Sequence, residues 1–358
     1  MLEAQIAEGA SVDEHQRGEY FSAVESAFWQ AAHKREMIEL DFQVAGQLLR
    51  LHFAGNGMAP IVAPSFDHLA IPRAGSDPAF SVLIWDSATT GISMPSPPWS
   101  VDAYSARGDI LGYNSDRYRS AYAVHCGAFY IADMARNRAI YWVRDAALVP
   151  GYERGKPMRP ILNWWLNRLD CQLVHGGAVG TENGAALLAG KGGAGKSNSA
   201  LACLRAGMFY LSDDFCAVQA DPPPKVYSLF GSAKLHVNDL ERLPFLRSEV
   251  SNPHELPEYK AVFFLNKSFP NQVVAEMPLR VILLPRLSGR SQTTWEDASR
   301  GAAHRALAEV TLNYLPGAGR TTFQIIAQLV KRLPAYHLNL GSEIDGVASA
   351  VEQIIDEA

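Results

Sequence analysis

The hydrophobic pattern changes period several times along the chain. Residues 1–18 are polar with little periodicity, and Glu19–Glu36, rich in Ala, Glu and aromatics, predicts one helix. From Ile38 the period becomes two. Ile38–Val44 alternates strictly, and Leu49–Phe53 repeats the alternation after Ala45-Gly46, which predicts a hairpin. Ser81–Trp85 reads as a more buried strand and is followed by the Pro/Ser-rich loop Met94–Trp99. Ala128–Ile131 and Ala139–Val143 add two strands around a basic turn. The first ~145 residues therefore predict a mostly antiparallel β region with a helix at its front.

A breaker-dense connection, Val149–Pro157, ends that region. Beyond it Ile161–Leu166 has helical character. A strand at Ala185–Leu188, a helix at Ser197–Ala206 and a strand at Met208–Leu211 then alternate, which predicts an α/β sheet. The reading is thus a β-rich domain over 1–150 and an α/β domain over 151–358. Trp164-Trp165 reads as core or interface packing.

Composition excludes several classes. With 358 residues, 48% hydrophobic and 19% charged, the chain can bury a real core. A net charge of −5 argues against a general nucleic-acid binder. No apolar run reaches the length of a membrane span, and Met1–Glu8 lacks the basic start and apolar stretch of a signal peptide, so a cytoplasmic protein is expected. Cys126, Cys171, Cys203 and Cys216 form no CxxC pair, which disfavours a zinc site or a disulfide framework.

The strongest chemical signal is Gly190-Lys191-Gly192-Gly193-Ala194-Gly195-Lys196-Ser197, a full G-x-x-x-x-G-K-[ST] pattern between a strand and a helix that continues with Asn198. Glycines let backbone N–H groups close around a phosphate, and the helix N-terminus adds unpaired donors. Lys196 reaches terminal phosphates in such a loop, and the Ser197 hydroxyl ligates Mg²⁺. The alternative is an ordinary Gly-rich strand–helix turn.

Two flanking motifs discriminate further. Leu173–Val179 reads as a strand joined to Ala185–Leu188 through Thr181–Gly184, and this hairpin brings His175 near the loop. Gly207 ends the loop helix, and the next strand delivers Ser212-Asp213-Asp214 at its C-terminal end, where ligands of α/β sheets bind. A core histidine is the alternative for His175, and a solvated turn or helix cap for the Asp pair. Lys234 and His236 alternate on a strand and face one side together, or else form an exposed polar face. Lys260 reads as a strand flank. Arg286, Arg290, Arg300 and Arg320 fall in or beside loops, where one can serve transition-state charge and the others are surface.

Val174-His175-Gly176, Gly190–Ser197 and Leu211–Asp214 together resemble the HPr kinase/phosphorylase family, whose catalytic domain is related to ATP-dependent phosphoenolpyruvate carboxykinase. Lys196 stands 21 residues after His175 and 17 before Asp213, in register with that family. The resemblance covers about residues 160–240. It implies an α/β P-loop kinase domain that uses ATP and Mg²⁺. Asp213 matches the catalytic base, Asp214 the acidic residue near Mg²⁺, and His175 an active-site histidine near the phosphates. The family's acidic stretch after the Asp pair is not recognisable; Gly231–His236 stands in its place. Ser228–Leu235 and Pro334–Leu338 are similar to divergent HPr-kinase-like proteins found beside ribosomal-peptide biosynthesis enzymes, including lasso-peptide tailoring kinases. That likeness implies kinase activity on a peptide or small protein carrying an acceptor Ser, at the C-terminus of a precursor peptide, and the missing acidic stretch implies little reverse phosphorolysis. The β-rich domain then holds the peptide, for instance by strand addition. A nucleotide-gated regulator and a small-metabolite kinase are the competing readings. No nucleic-acid or membrane partner is expected, and homo-oligomerisation stays open.

Overall fold

The computed structural model describes residues 12–358, so the signal-peptide reading of Met1–Glu8 lies outside the described residues. The first helix, Glu14–Lys34, begins earlier than its apolar periodicity, because Asp13 and Gln16 form a capping box that carries it into the polar stretch. Its buried face (Phe21, Val24, Phe28, Ala31) packs on one side of a seven-stranded sheet.

That sheet comprises Met37–Val44 (β1), Gln47–Ala54 (β2), Ala70–Ile71 (β3), Phe80–Asp86 (β4), Tyr118–Ala123 (β5), Ala128–Asp133 (β6) and Arg138–Val143 (β7). The order is β3-β1-β2-β4-β7-β6-β5. The hairpin β1/β2 forms as expected, around Ala45 and Gly46 at positive φ. The antiparallel expectation needs correction at the centre, where β4 runs parallel to both β2 and β7. Every residue of β4 is buried, as suits a central strand covered on both faces.

The second sheet uses Cys171–Thr181 (β8), Gly184–Ala189 (β9), Phe209–Ser212 (β10), Phe215–Gln219 (β11), Lys225–Ser228 (β12), Glu276–Leu287 (β15), Thr294–Asp297 (β16) and Ala335–Leu340 (β17). Ser232–Leu235 (β13) and Ala261–Phe264 (β14) form a separate ribbon. The sheet is mixed: β8 pairs antiparallel with β9, β10 and β11, whereas β15 pairs parallel with β9 and β17. Helices Lys196–Arg205 and Asp345–Glu357 cover one face, and Arg300–Tyr314 and Arg320–Arg332 the other. This half is therefore an α/β layer structure.

The compositional break at Val149–Pro157 is not a break in packing. One apolar cluster runs from Phe42 and Phe80 through Met158, Trp164 and Trp165 to Phe215 and Leu229. Trp165 stacks on Phe80 at 5.3 Å, so the tryptophan pair belongs to the core. Cys171, Cys203 and Cys216 are buried and all four thiols are free. No helix among the described residues is long and apolar enough to cross a membrane.

Candidate functional site

The glycine-rich segment leaves the end of β9 and enters the helix Lys196–Arg205. Gly195 has φ +99°, a left-handed backbone conformation that glycine adopts without strain. The ammonium of Lys196 donates to the Gly190 carbonyl (2.6 Å) and the Lys191 carbonyl (3.2 Å). Burial pushes its pKa down, and the Asp214 and Asp213 carboxylates act against that shift. Gly192, Gly193, Gly195, Lys196, Ser197 and Asn198 line a cavity of about 580 Å³; Gly190, Lys191 and Ala194 stand outside its lining. Asn198 Oδ1 is buried without a partner.

The same cavity receives His175, Asp213 and Asp214 from the sheet. β10 and β11 pair with successive stretches of β8, and the two aspartates form the short link between them. They follow the C-terminal end of β10, and because β11 continues along β8 they lie between two strands in mid-sheet. Opposite them β8 carries Gly176 and Gly177; a Cβ on Gly177 would meet the Ser212 carbonyl at 3.1 Å and Asp213 Cα at 3.4 Å. The absent side chain lets the link sit close to β8.

Asp213 is almost wholly buried. Its Oδ1 accepts from Lys156 Nζ at 2.8 Å and lies 3.2 Å from the Tyr210 hydroxyl, which also donates to the Ser232 carbonyl. Oδ2 accepts one backbone bond, from Lys234 N at 3.1 Å. Asp214 Oδ1 is 2.6 Å from His175 Nε2, and Oδ2 is 2.9 Å from Lys234 Nζ and 3.8 Å from Lys156 Nζ. Burial opposes ionisation of Asp214, but Lys234, Lys156 and His175 together hold its carboxyl well below the usual range. The Ser197 hydroxyl lies 3.5 Å from the Asp213 carbonyl. The His175 ring stacks on Phe215 at 4.9 Å, and its Nδ1 is buried without a partner.

Two cations essential to this arrangement have no sequence signature. Lys156, in the turn after Gly155, is fully buried; burial pushes its pKa down against the pull of Asp213. Arg159 binds Glu153 at 2.7 Å, covers the Phe215 ring at 5.4 Å, and lines the cavity. Lys234, Leu235 and His236 all line the cavity, with His236 just past the end of β13, and Lys260 lines it too. Arg286, Arg290, Arg300 and Arg320 do not line it; Arg286 instead pairs with Glu296. Its lining arginines are Arg159 and Arg242.

Chemically the site combines backbone donors at a helix N-terminus, lysines suited to anions, and hard oxygen donors (Asp214, Ser197) of the kind Mg²⁺ prefers. The donor set fits a Mg²⁺–nucleotide ligand.

No protein-family model matches the chain, and no curated protein matches it. Among solved structures, the Hpr(Ser) kinase/phosphatase from Coxiella burnetii is similar at 11% identity, over 52% of this chain and 95% of that one, with a TM-score of 0.28. A likeness at that score is too slight to bear on function.

Proposed function

We propose that the chain is an ATP- and Mg²⁺-dependent kinase, HPr-kinase-like in its motifs, that phosphorylates a serine hydroxyl on a peptide or small protein. One observation carries this reading: the Gly190–Ser197 loop, the Asp213-Asp214 link and His175, far apart in sequence, meet at one cavity. In this reading Lys196 and the loop amides hold the phosphates, with Asn198 at the helix start beside them. Ser197 and Asp214 hold Mg²⁺, which supplies charge neutralisation on the phosphate oxygens.

Asp213 is the proton acceptor. Its Oδ1 is engaged by Lys156 and Tyr210, whereas Oδ2 has one backbone partner and a lone pair to spare. The serine oxygen bonds to the γ-phosphorus as the bond to the ADP oxygen breaks, and Asp213 Oδ2 takes the hydroxyl proton. His175 orients Asp214 through its Nε2 contact. Lys234, standing where the resembled family has its acidic stretch, adds positive charge beside the metal ligand. Forward transfer with little phosphorolysis is expected because the acidic stretch of the resembled family is missing here.

The acceptor to test first is a precursor-type peptide ending in Ser, beside HPr and the same peptide ending in Ala. Incubation with γ-labelled ATP should label the Ser-ended peptide alone. Efficient labelling of HPr would restore the general HPr-kinase reading. Label on a small metabolite would identify a metabolite kinase, and nucleotide binding without transfer to any acceptor would identify a nucleotide-gated regulator.

A further inference from the structure

Beside the phosphate-side cavity lies a second one of about 500 Å³. Its walls come from both halves of the molecule: Ala121, Ala123 and Val124 at and after β5, and Leu315 and Pro316 beyond the helix Arg300–Tyr314. Arg159 and Tyr314 line both cavities. Tyr314 packs against the His175 ring at 5.3 Å, and His175 contacts Asp214, so the second cavity opens next to the carboxylates.

The lining chemistry is selective. It contains no Asp or Glu. Its two arginines are already committed, Arg159 to Glu153 and Arg107 to the Leu312 and Ala318 carbonyls and to Asp109. The remaining polar lining groups, His125, Asn313 and Tyr122 among them, carry no charge to offer, so a carboxylate or ammonium entering there would lose water without an opposite charge to pair with, whereas an apolar side chain would be favoured. The rim exposes apolar surface, with Val124 69% and Tyr314 62% exposed. Strand addition does not suit this edge, because the 108–110 segment already bonds to β5: Asp109 bridges Ala121, and Tyr122 N donates to the Gly108 carbonyl.

We propose that this second cavity recognises the acceptor by a large apolar or aromatic side chain next to the phosphorylated serine. The inference rests on the kinase reading above and adds the class of acceptor. The cavity takes the apolar side chain while the neighbouring hydroxyl enters the phosphate-side cavity past Arg159 and Tyr314.

The test uses serine peptide pools in which the residues flanking Ser are fixed as Leu/Phe, Lys, Glu or Gly, with γ-labelled ATP. The wild type should label the Leu/Phe pool at least ~10-fold faster than the Lys or Glu pools, the size of discrimination an apolar pocket supplies. Val124→Glu should shift the Lys pool up relative to Leu/Phe by ~10-fold, and Val124→Lys should do the same for the Glu pool. The two variants change an exposed position, and a thermal melt checks that each is folded. Transfer without flanking preference, or a preference unchanged in both folded variants, would overturn the inference and leave the kinase reading standing. Transfer to no pool, with a fluorescent ATP analogue still bound, would overturn both.

Discussion

Two buried aspartates, one in each half of the molecule, are bound in different ways. Asp41 on β1 faces Arg50 directly across the hairpin. It receives Arg50 Nε (2.7 Å) and Nη2 (2.9 Å), Arg73 Nη1 (2.8 Å) and the Ala74 N–H (2.7 Å). Four donors fill its lone pairs, and Arg50 also reaches the Ala74 and Ser76 carbonyls, so the planar fork is fixed at both ends. Asp213 receives a lysine, a shared tyrosine hydroxyl and one backbone N–H. Lysine is a point charge that neutralises a carboxylate without occupying its whole acceptor edge. The arginine network therefore closes its carboxylate to further partners, and the lysine network leaves one acceptor position of the buried Asp213 unfilled beside the cavity. Buried charge alone does not mark a site.

The sharpest way to break this contrast is through rate. Lys196→Ala and Asp213→Asn should each lower transfer by about 10²–10⁴. Asp213→Asn should keep its affinity for a fluorescent ATP analogue, since in the proposed reaction the carboxylate serves the acceptor and not the nucleotide. Turnover like the wild type's in Lys196→Ala would remove the phosphate-loop assignment.

Stability comes next. Lys156→Met leaves Asp213 buried without its cation and should cost about 3–5 kcal/mol in urea unfolding, with the double variant Lys156→Met/Asp213→Asn recovering most of it. Arg50→Met should cost a similar amount yet leave nucleotide affinity untouched. A Lys156→Met variant as stable as the wild type would show that Asp213 finds another partner.

A third measurement probes the join between the halves. His68 Nε2 lies 2.8 Å from the Ser228 hydroxyl, and burial pushes its pKa down to about 4. The unfolded chain therefore takes up this proton first as pH falls. Stability should be full above about pH 6.5 and decline to about pH 4, by about 3 kcal/mol from this residue. Urea unfolding of His68→Gln across that range should give the flatter profile; identical slopes would exclude His68 as the source.

The smallest effect concerns the metal. Asp214→Asn should raise the Mg²⁺ concentration for half-maximal rate by at least the ~10-fold that even an outer carboxylate change costs. Equal metal defects in Asp213→Asn and Asp214→Asn would refute the division of roles.

The residues that could be read in advance share a local pattern. The apolar runs Leu173–Val179 and Ala185–Leu188 on either side of the Thr181–Gly184 turn encode the β8/β9 hairpin, and the glycine spacing up to Lys196 encodes the turn into the helix. The Asp pair stood out because two acids follow an apolar strand. Lys156 left no such trace: it sits among glycines and a proline, and only the approach of the Gly155 turn to β13, through Ser232 and the Gly155 carbonyl, puts its ammonium beside Asp213. The parallel pairing of β4 was hidden for a related reason. Long crossovers carry no periodic signal, so an isolated buried strand reads alike in either direction. Of the site's arginines, those nominated for their loop positions lie elsewhere, while Arg159 sits in a helix that reads as core.

The aspartate link also restricts how the chain can change length. Phe215 faces His175 across β11 and β8, and the aromatic stack between them depends on that register. One residue inserted between Ser212 and Phe215 would slide β11 by a single position and turn its alternate side chains to the opposite face. Val218 and Cys216 would leave the apolar layer under the helix Arg300–Tyr314 as the carboxylates left their cations. Insertions and deletions should therefore be rejected at this link even where substitutions are accepted, so its length is as much a part of the site as its charges.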